Sequence, residues 1–94
     1  MYKSNKTDET ISFPPLQSWN PTRKVATIAA QHHGGRILCR ISQTDLNRKF
    51  HSATVDPMTV IKQNRNTIEV AAKKKIEEQD FKEDGSIDIL YKDL

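Results

Sequence analysis

Residues 25 to 42 read Val25-Ala26-Thr27-Ile28-Ala29-Ala30-Gln31-His32-His33-Gly34-Gly35-Arg36-Ile37-Leu38-Cys39-Arg40-Ile41-Ser42, and this stretch decides the fold. Two β-prone runs flank His32-His33-Gly34-Gly35, the pattern of a β-hairpin. Alternation in the second run sets Ile37, Cys39 and Ile41 on one face and Leu38 and Arg40 on the other, as in a sheet buried on one side. The first run leaves two inward faces open, Ala26-Ile28-Ala30 or Val25-Thr27-Ala29.

Downstream, Ser42-Gln43-Thr44-Asp45 caps a short helix bearing Leu46 and Phe50 one turn apart, with Asp standing where a capping box usually has Glu or Gln. Asp56-Pro57 starts a second helix, because Asp caps well and proline at the first helical position sacrifices no hydrogen bond. From there Ile61, Asn64, Ile68, Ala72 and Ile76 keep one stripe at spacings of three and four. The pattern predicts one long helix of ~22 residues, ~33 Å at ~1.5 Å per residue. Strands of ~7 residues span only ~23 Å, so the far end, Lys73-Lys74-Lys75-Ile76-Glu77-Glu78, is expected to overhang the sheet as the most exposed helical surface. Asp84-Gly85 then marks a turn, and Ser86 to Tyr91 alternates as a last strand with Ile87, Ile89 and Tyr91 inward.

Upstream, Ile11-Ser12-Phe13 reads at most as a short edge strand, because Pro14-Pro15 cannot donate to a sheet ladder. Leu16 and Trp19 fall in a loop that closes at Asn20-Pro21, with Trp19 as a lid over one end of the core. Residues 1–10 read as a flexible polar tail. The order gives a single α+β domain over residues 11–94. It has a small antiparallel sheet, the hairpin plus the C-terminal strand and a short N-terminal strand, packed by one short and one long helix.

A chain of 94 residues, 35% of them hydrophobic, has room for one thin core, which favours a partner or self-association. Cys39 is the sole cysteine, so no intramolecular disulfide forms and a reducing compartment is expected. No stretch has the apolar length of a signal peptide or a membrane span, which points to the cytoplasm. The net charge of +3 hides a split: residues 1–75 carry 13 Lys/Arg against 5 Asp/Glu, and residues 76–94 carry 2 against 7. Either the surface is bipolar, or the two regions face each other and cancel.

The residue types of catalysis are present without the spacings that catalysis needs. His32, His33, His51 and Cys39 lack the paired spacing of a structural zinc site; His32 and His33, neighbours at a turn, are expected to point different ways. Cys39 falls at a core position rather than beside a base. Glu77, Glu78, Asp80, Glu83 and Asp84 lie in a solvated helix end and turn. Gly34-Gly35 serves the hairpin rather than a phosphate. No catalytic residue, metal or cofactor is therefore expected.

The best binding candidate is a basic surface of Arg48, Lys49, Lys62, Arg65, Lys73 and Lys74, with Arg36 and Arg40 contributing from the outer sheet. Arg65 has a second reading as a structural partner of a carboxylate at a sheet edge, and Asn64 as a donor to loop backbone. The expectation is a non-catalytic interaction or regulatory module with a macromolecular partner, in the first place a protein. Nucleic-acid binding through the phosphate backbone is the alternative, ahead of an enzyme or small-molecule binder. Monomer and homodimer both stay open, and no membrane partner is expected.

Ile11-Ser12-Phe13, Trp19, Val25, Ala29, Gly35, Ile37, Cys39-Arg40-Ile41-Ser42, Leu46 and Phe50 occur in an order that resembles the YrdB-like small bacterial proteins, a family of unknown function. The resemblance continues through Asn64-Arg65, Ile68-Glu69, Ala72 and Asp84-Gly85-Ser86-Ile87, and so covers residues 11 to 94. It implies a compact α+β domain of a bacterial cytoplasm and brings no activity, cofactor or catalytic residue with it. The chain departs from the family pattern in its polar tail and in His32-His33.

Overall fold

The computed structural model describes residues 10–94, so the tail expected over residues 1–10 lies, but for Thr10, outside the described residues. Four strands form one sheet in the order β1-β2-β3-β4: β1 (Gln17–Asn20), β2 (Val25–His32), β3 (Gly35–Ser42) and β4 (Ile87–Asp88). Between β3 and β4 run α1 (Gln43–Phe50), α2 (Pro57–Gln63) and α3 (Arg65–Glu77), and a 3-10 turn (Tyr91–Asp93) ends the chain. The α+β class read from the sequence is the observed one.

The hairpin is tighter than the four-residue turn expected. His32 pairs with Gly35, and only His33 and Gly34 turn the chain, both at positive φ (55° and 75°), the geometry whose twist matches paired strands. Of the two faces open for β2, Ala26, Ile28 and Ala30 point inward beside Cys39 and Ile41, all fully buried, while Ile37 near the hairpin tip is half-buried.

The last strand needs two corrections: it is only two residues long, and it runs parallel to β3 through Cys39↔Ile87 and Arg40↔Asp88. Its direction follows from the connection, since a helical crossover over residues 43–86 returns the chain to the end of the sheet where β3 began. Ile87 and Ile89 are buried as expected, but the chain turns at Leu90, leaving Tyr91 38% exposed rather than inward.

At the other edge, Ile11-Ser12-Phe13 contributes one bridge, Ser12↔Gln31, and the true first strand is Gln17–Asn20, in the segment expected to be a loop. Cross-strand pairing to β2 holds it, with the Gln17 side chain donating to the Met58 carbonyl at 3.0 Å. Trp19 packs half-buried against the core, as a lid would.

The long helix is interrupted at Asn64, whose φ and ψ (−117°, 25°) leave the helical region. Its amide Nδ2 donates to the Val60 carbonyl at 2.9 Å, and its backbone N–H reaches both Val60 (3.0 Å) and Ile61 (3.2 Å). Side-chain back-bonding of this kind competes with the helical ladder and bends it. The apolar stripe survives the break, for Ile61, Ile68, Ala72 and Ile76 are all buried. The expected overhang of exposed residues is wrong at Lys75 and Ile76, 7% and 2% exposed, because acidic residues that follow α3 cover Lys75.

Ile68 lies at 0% exposure and Val70, two residues on, at 61%. Ile68→Ala is expected to destabilise the fold by about 2–5 kcal/mol, whereas Val70→Ala should stay within about 0.5 kcal/mol. Urea denaturation of the two variants beside the wild type measures the difference.

Candidate functional site

The acidic C-terminal region folds back on the basic body. Lys75 Nζ lies 2.9 Å from Asp80 and 3.3 Å from Asp93, with its side chain 9% exposed. Burial alone would pull the ammonium pKa down, but hydrogen bonds and charge from Asp80 and Asp93 outweigh it and the net shift is up. Asp80 moves down for the same reason. Arg40 meets Asp84 at 3.3 Å across the same division of the sequence. The +8 and −5 regions thus partly neutralise each other instead of forming two poles.

The six basic candidates are spread over different elements. Arg48 of α1 stacks its guanidinium 4.1 Å from the centre of the Tyr91 ring, tying α1 to the C-terminal turn, and Lys49 beside it is half-buried. Arg65 opens α3 and is spent on structure. Its Nε donates to Glu69 at 2.7 Å, Nη1 to Gln17 at 3.0 Å and Nη2 to the Pro14 carbonyl at 2.7 Å, locking the Pro14-Pro15 segment against the helix. The carboxylate partner is one helical turn away rather than at a sheet edge. Lys62, Lys73 and Lys74 are exposed and, among the described residues, outside any ion pair. Asn64 bonds within its own helix and not to a loop.

Sequence reasoning missed the most structured part of the surface. All three helices pack on the inner face of the sheet, and alternation turns Val25, Thr27, Arg40 and Ser42 to the other side. There the segment 82–88 rises beside β3 to wall a shallow depression of about 600 Å³. Arg40 stands in it, donating through Nη1 to Ser86 Oγ at 2.7 Å and to Asp84 at 3.3 Å. Ser86 donates both its N–H (3.0 Å) and its hydroxyl (2.5 Å) to Asp84. These Ser86 hydrogen bonds, aided by Arg40, hold the Asp84 carboxyl down at about 2. Lys82 pairs with Asp88 at 3.2 Å, and Arg23 and Asp45 complete the charged lining. The sequence signalled Arg40 as an outer-face residue, but its partners lie 44 and 46 positions on.

Cys39 is fully buried, burial pushes its thiol up to about 12 against a smaller pull from Arg65, and Sγ contacts the Ile37 carbonyl at 3.7 Å. Such a thiol stays protonated at neutral pH. His32 and His33 do not point apart: their rings pack with centroids 3.9 Å apart, because positive φ at His33 folds it back over its neighbour. Among the described residues no three His, Cys, Asp or Glu side chains gather where they could hold a metal ion, and no helix is long and apolar enough to cross a membrane.

Against known proteins, residues 11–89 match the family described as a protein of unknown function, DUF1488. A crystal structure of a protein of unknown function from that family, from Shewanella loihica PV-4, is similar at 26% identity with a TM-score of 0.80, over 87% of this chain and 93% of that one. No curated protein matches the chain.

Depression of the Asp84 pKa from 3.8 to about 2 makes its anion favour the folded state. That contribution is complete above pH 3.8 and is lost as pH falls through about 2. Asp84→Ala is therefore expected to be less stable than the wild type at neutral pH, with the gap narrowing as both are acidified toward pH 2. Urea midpoints across a pH series check the sign.

Proposed function

Because the chain belongs to the DUF1488 family of unknown function, we propose from its surface that it is a non-catalytic interaction module, acting in a bacterial cytoplasm, that binds a protein partner across the helix-free face of its sheet. We also assign it to the YrdB-like branch of that family, on the strength of Cys39-x-Ile41-Ser42 and Asn64-Arg65-x-x-Ile68-Glu69.

One observation carries the reading: the depression beside β3 is lined by Arg23, Arg40 and Lys82 together with Asp45, Asp84 and Asp88, and by the apolar Val25 and Leu90. Both signs within one depression complement a protein segment that itself carries both charges, and they help to fix its register. The same carboxylates repel a phosphate backbone, which disfavours nucleic acid on this face. Leu38 and Leu90, 38% and 40% exposed, supply apolar surface for a partner to cover. Arg40 is held in place by Ser86 and Asp84, so little side-chain freedom is lost when a partner docks.

The partner is expected to be a polypeptide segment bearing both acidic and basic residues. A photo-cross-linking residue at Thr27 should capture a reproducible partner from cells. Capture should fall when Arg23→Glu and Lys82→Glu are introduced together, and should persist in the Lys73→Glu, Lys74→Glu variant. No reproducible partner, or equal capture by the altered face, removes the proposal.

A second reading rests on Lys62, Lys73 and Lys74, the cations of α2 and α3 that are exposed and, among the described residues, outside any ion pair. If they contact phosphates, anisotropy of a labelled mixed-sequence oligonucleotide will show affinity that drops steeply from low to moderate salt and weakens on Lys73→Glu. A flat titration at low salt excludes it.

A further inference from the structure

The two edges of the sheet differ in what they can accept. Gln31 and Ser12 exchange both backbone hydrogen bonds (3.0 and 2.8 Å), so Gln31 turns its N–H and C=O toward the β1 side. Alternation along β2 turns Thr27 and Val25 the same way, and their partners on β1 are Ser18 and Asn20. Gln17 and Trp19 therefore direct their N–H and C=O groups outward, and among the described residues none of these four groups has a hydrogen-bond partner. No charged side chain interrupts this edge, which reads Leu16-Gln17-Ser18-Trp19-Asn20 between Pro15 and Pro21.

We propose that β1 is a homodimerisation edge, pairing antiparallel with β1 of a second copy about a two-fold axis at Ser18. In that register Gln17 of one copy faces Trp19 of the other, and each such pair exchanges both of its hydrogen bonds. Every outward N–H and C=O of the two residues is then satisfied. Ser18 faces Ser18 of the second copy as a pair without mutual backbone bonds, where side chains approach most closely. Leu16, 52% exposed, comes opposite Asn20 and loses water on one side. Pro15 and Pro21 lack the N–H that further pairing would need, so the contact closes as a dimer and cannot propagate as a longer ladder.

The opposite edge does not offer this. There β4 already fills the lane beside Cys39 and Arg40, and the Lys82–Asp88 ion pair stands next to it. Beyond β4, the open stretch of β3 presents Arg36, so a two-fold pairing centred there would place like charges face to face. A second copy thus fits the β1 edge and is repelled by the β3 edge. The contact is small, in the range of weak, reversible association.

Sedimentation velocity of the purified protein over a wide concentration series tests the proposal. The wild type is expected to move from monomer mass toward dimer mass as concentration rises. Ser18 is exposed, so Ser18→Lys and Ser18→Asp should each keep the wild-type circular dichroism while raising the dimer dissociation constant on the order of fivefold or more. An equimolar mixture of the two variants should recover wild-type association, because the facing charges are then opposite. Monomer mass throughout, variants that associate as tightly as the wild type, or a mixture no tighter than its components would each overturn it. Sedimentation of the purified protein involves no other partner, and the Arg23→Glu, Lys82→Glu change lies outside β1, so the dimer and the partner-binding reading stand or fall separately.

Discussion

The inward face of the β2–β3 hairpin carries Ala26, Ile28 and Ala30 beside Cys39 and Ile41, and among the described residues no second sheet covers it. That face must be buried by helix, since each branched side chain left in water would forgo about 1.5–3 kcal/mol in a domain whose total stability is only about 5–15 kcal/mol. Small residues on β2 let helices approach closely, and Val60, Ile61, Ile68 and Ala72 fill the layer above. Among the described residues no aromatic side chain is fully buried, which keeps the core thin and leaves Trp19, Phe13 and Phe50 to close its margins. Carrying the helices over the sheet also supplies the crossover that parallel pairing needs, and the chain returns to the end where β3 started.

That return places the acidic end of the sequence against the basic body. Lys75 is the pivot: an ammonium at 9% exposure is tolerated only because Asp80 and Asp93 converge on it from two sides of the terminal segment. Arg48 over Tyr91 and Arg40 on Ser86 fasten the same segment at other points. The charge division seen in the sequence is thus largely a device of folding, which seats the last strand and the 3-10 turn. It is only secondarily a feature of the surface.

What the sequence disclosed follows from how local each signal is. The hairpin, the Ser42 and Asp56 caps, the apolar stripe and the Asp84-Gly85 turn involve residues within a few positions of one another, and all occur in the structure. The break at Asn64 was hidden because Asn lies on the stripe, where alternation of face is informative and side-chain back-bonding is not. β1 was illegible for a different reason: Gln17-Ser18-Trp19-Asn20 has little strand character, and its conformation is imposed by β2 and by Met58, 41 residues away from Gln17. The roles of the basic residues were least legible. Arg65 reaches Pro14 across 51 positions, and nothing in the local sequence separates such a structural arginine from the free lysines of α2 and α3.

These same facts narrow what the surface can recognise. With the acidic segment engaged internally, the surface does not present two opposite poles; it presents the outer face of the sheet, where both signs occur within one depression, and the lysines of α2 and α3. The two options make different electrostatic demands. Mixed charges favour a partner that carries both signs and give little to a uniformly negative one, whereas isolated lysines favour polyanions and discriminate weakly among them. An arginine held by a serine and a carboxylate of pKa about 2 keeps its ion pair at any physiological pH, so the charge pattern of the sheet face is set by position rather than by titration. In a chain whose core can spare little stability, a surface already fixed before the partner arrives is the less costly way to bind.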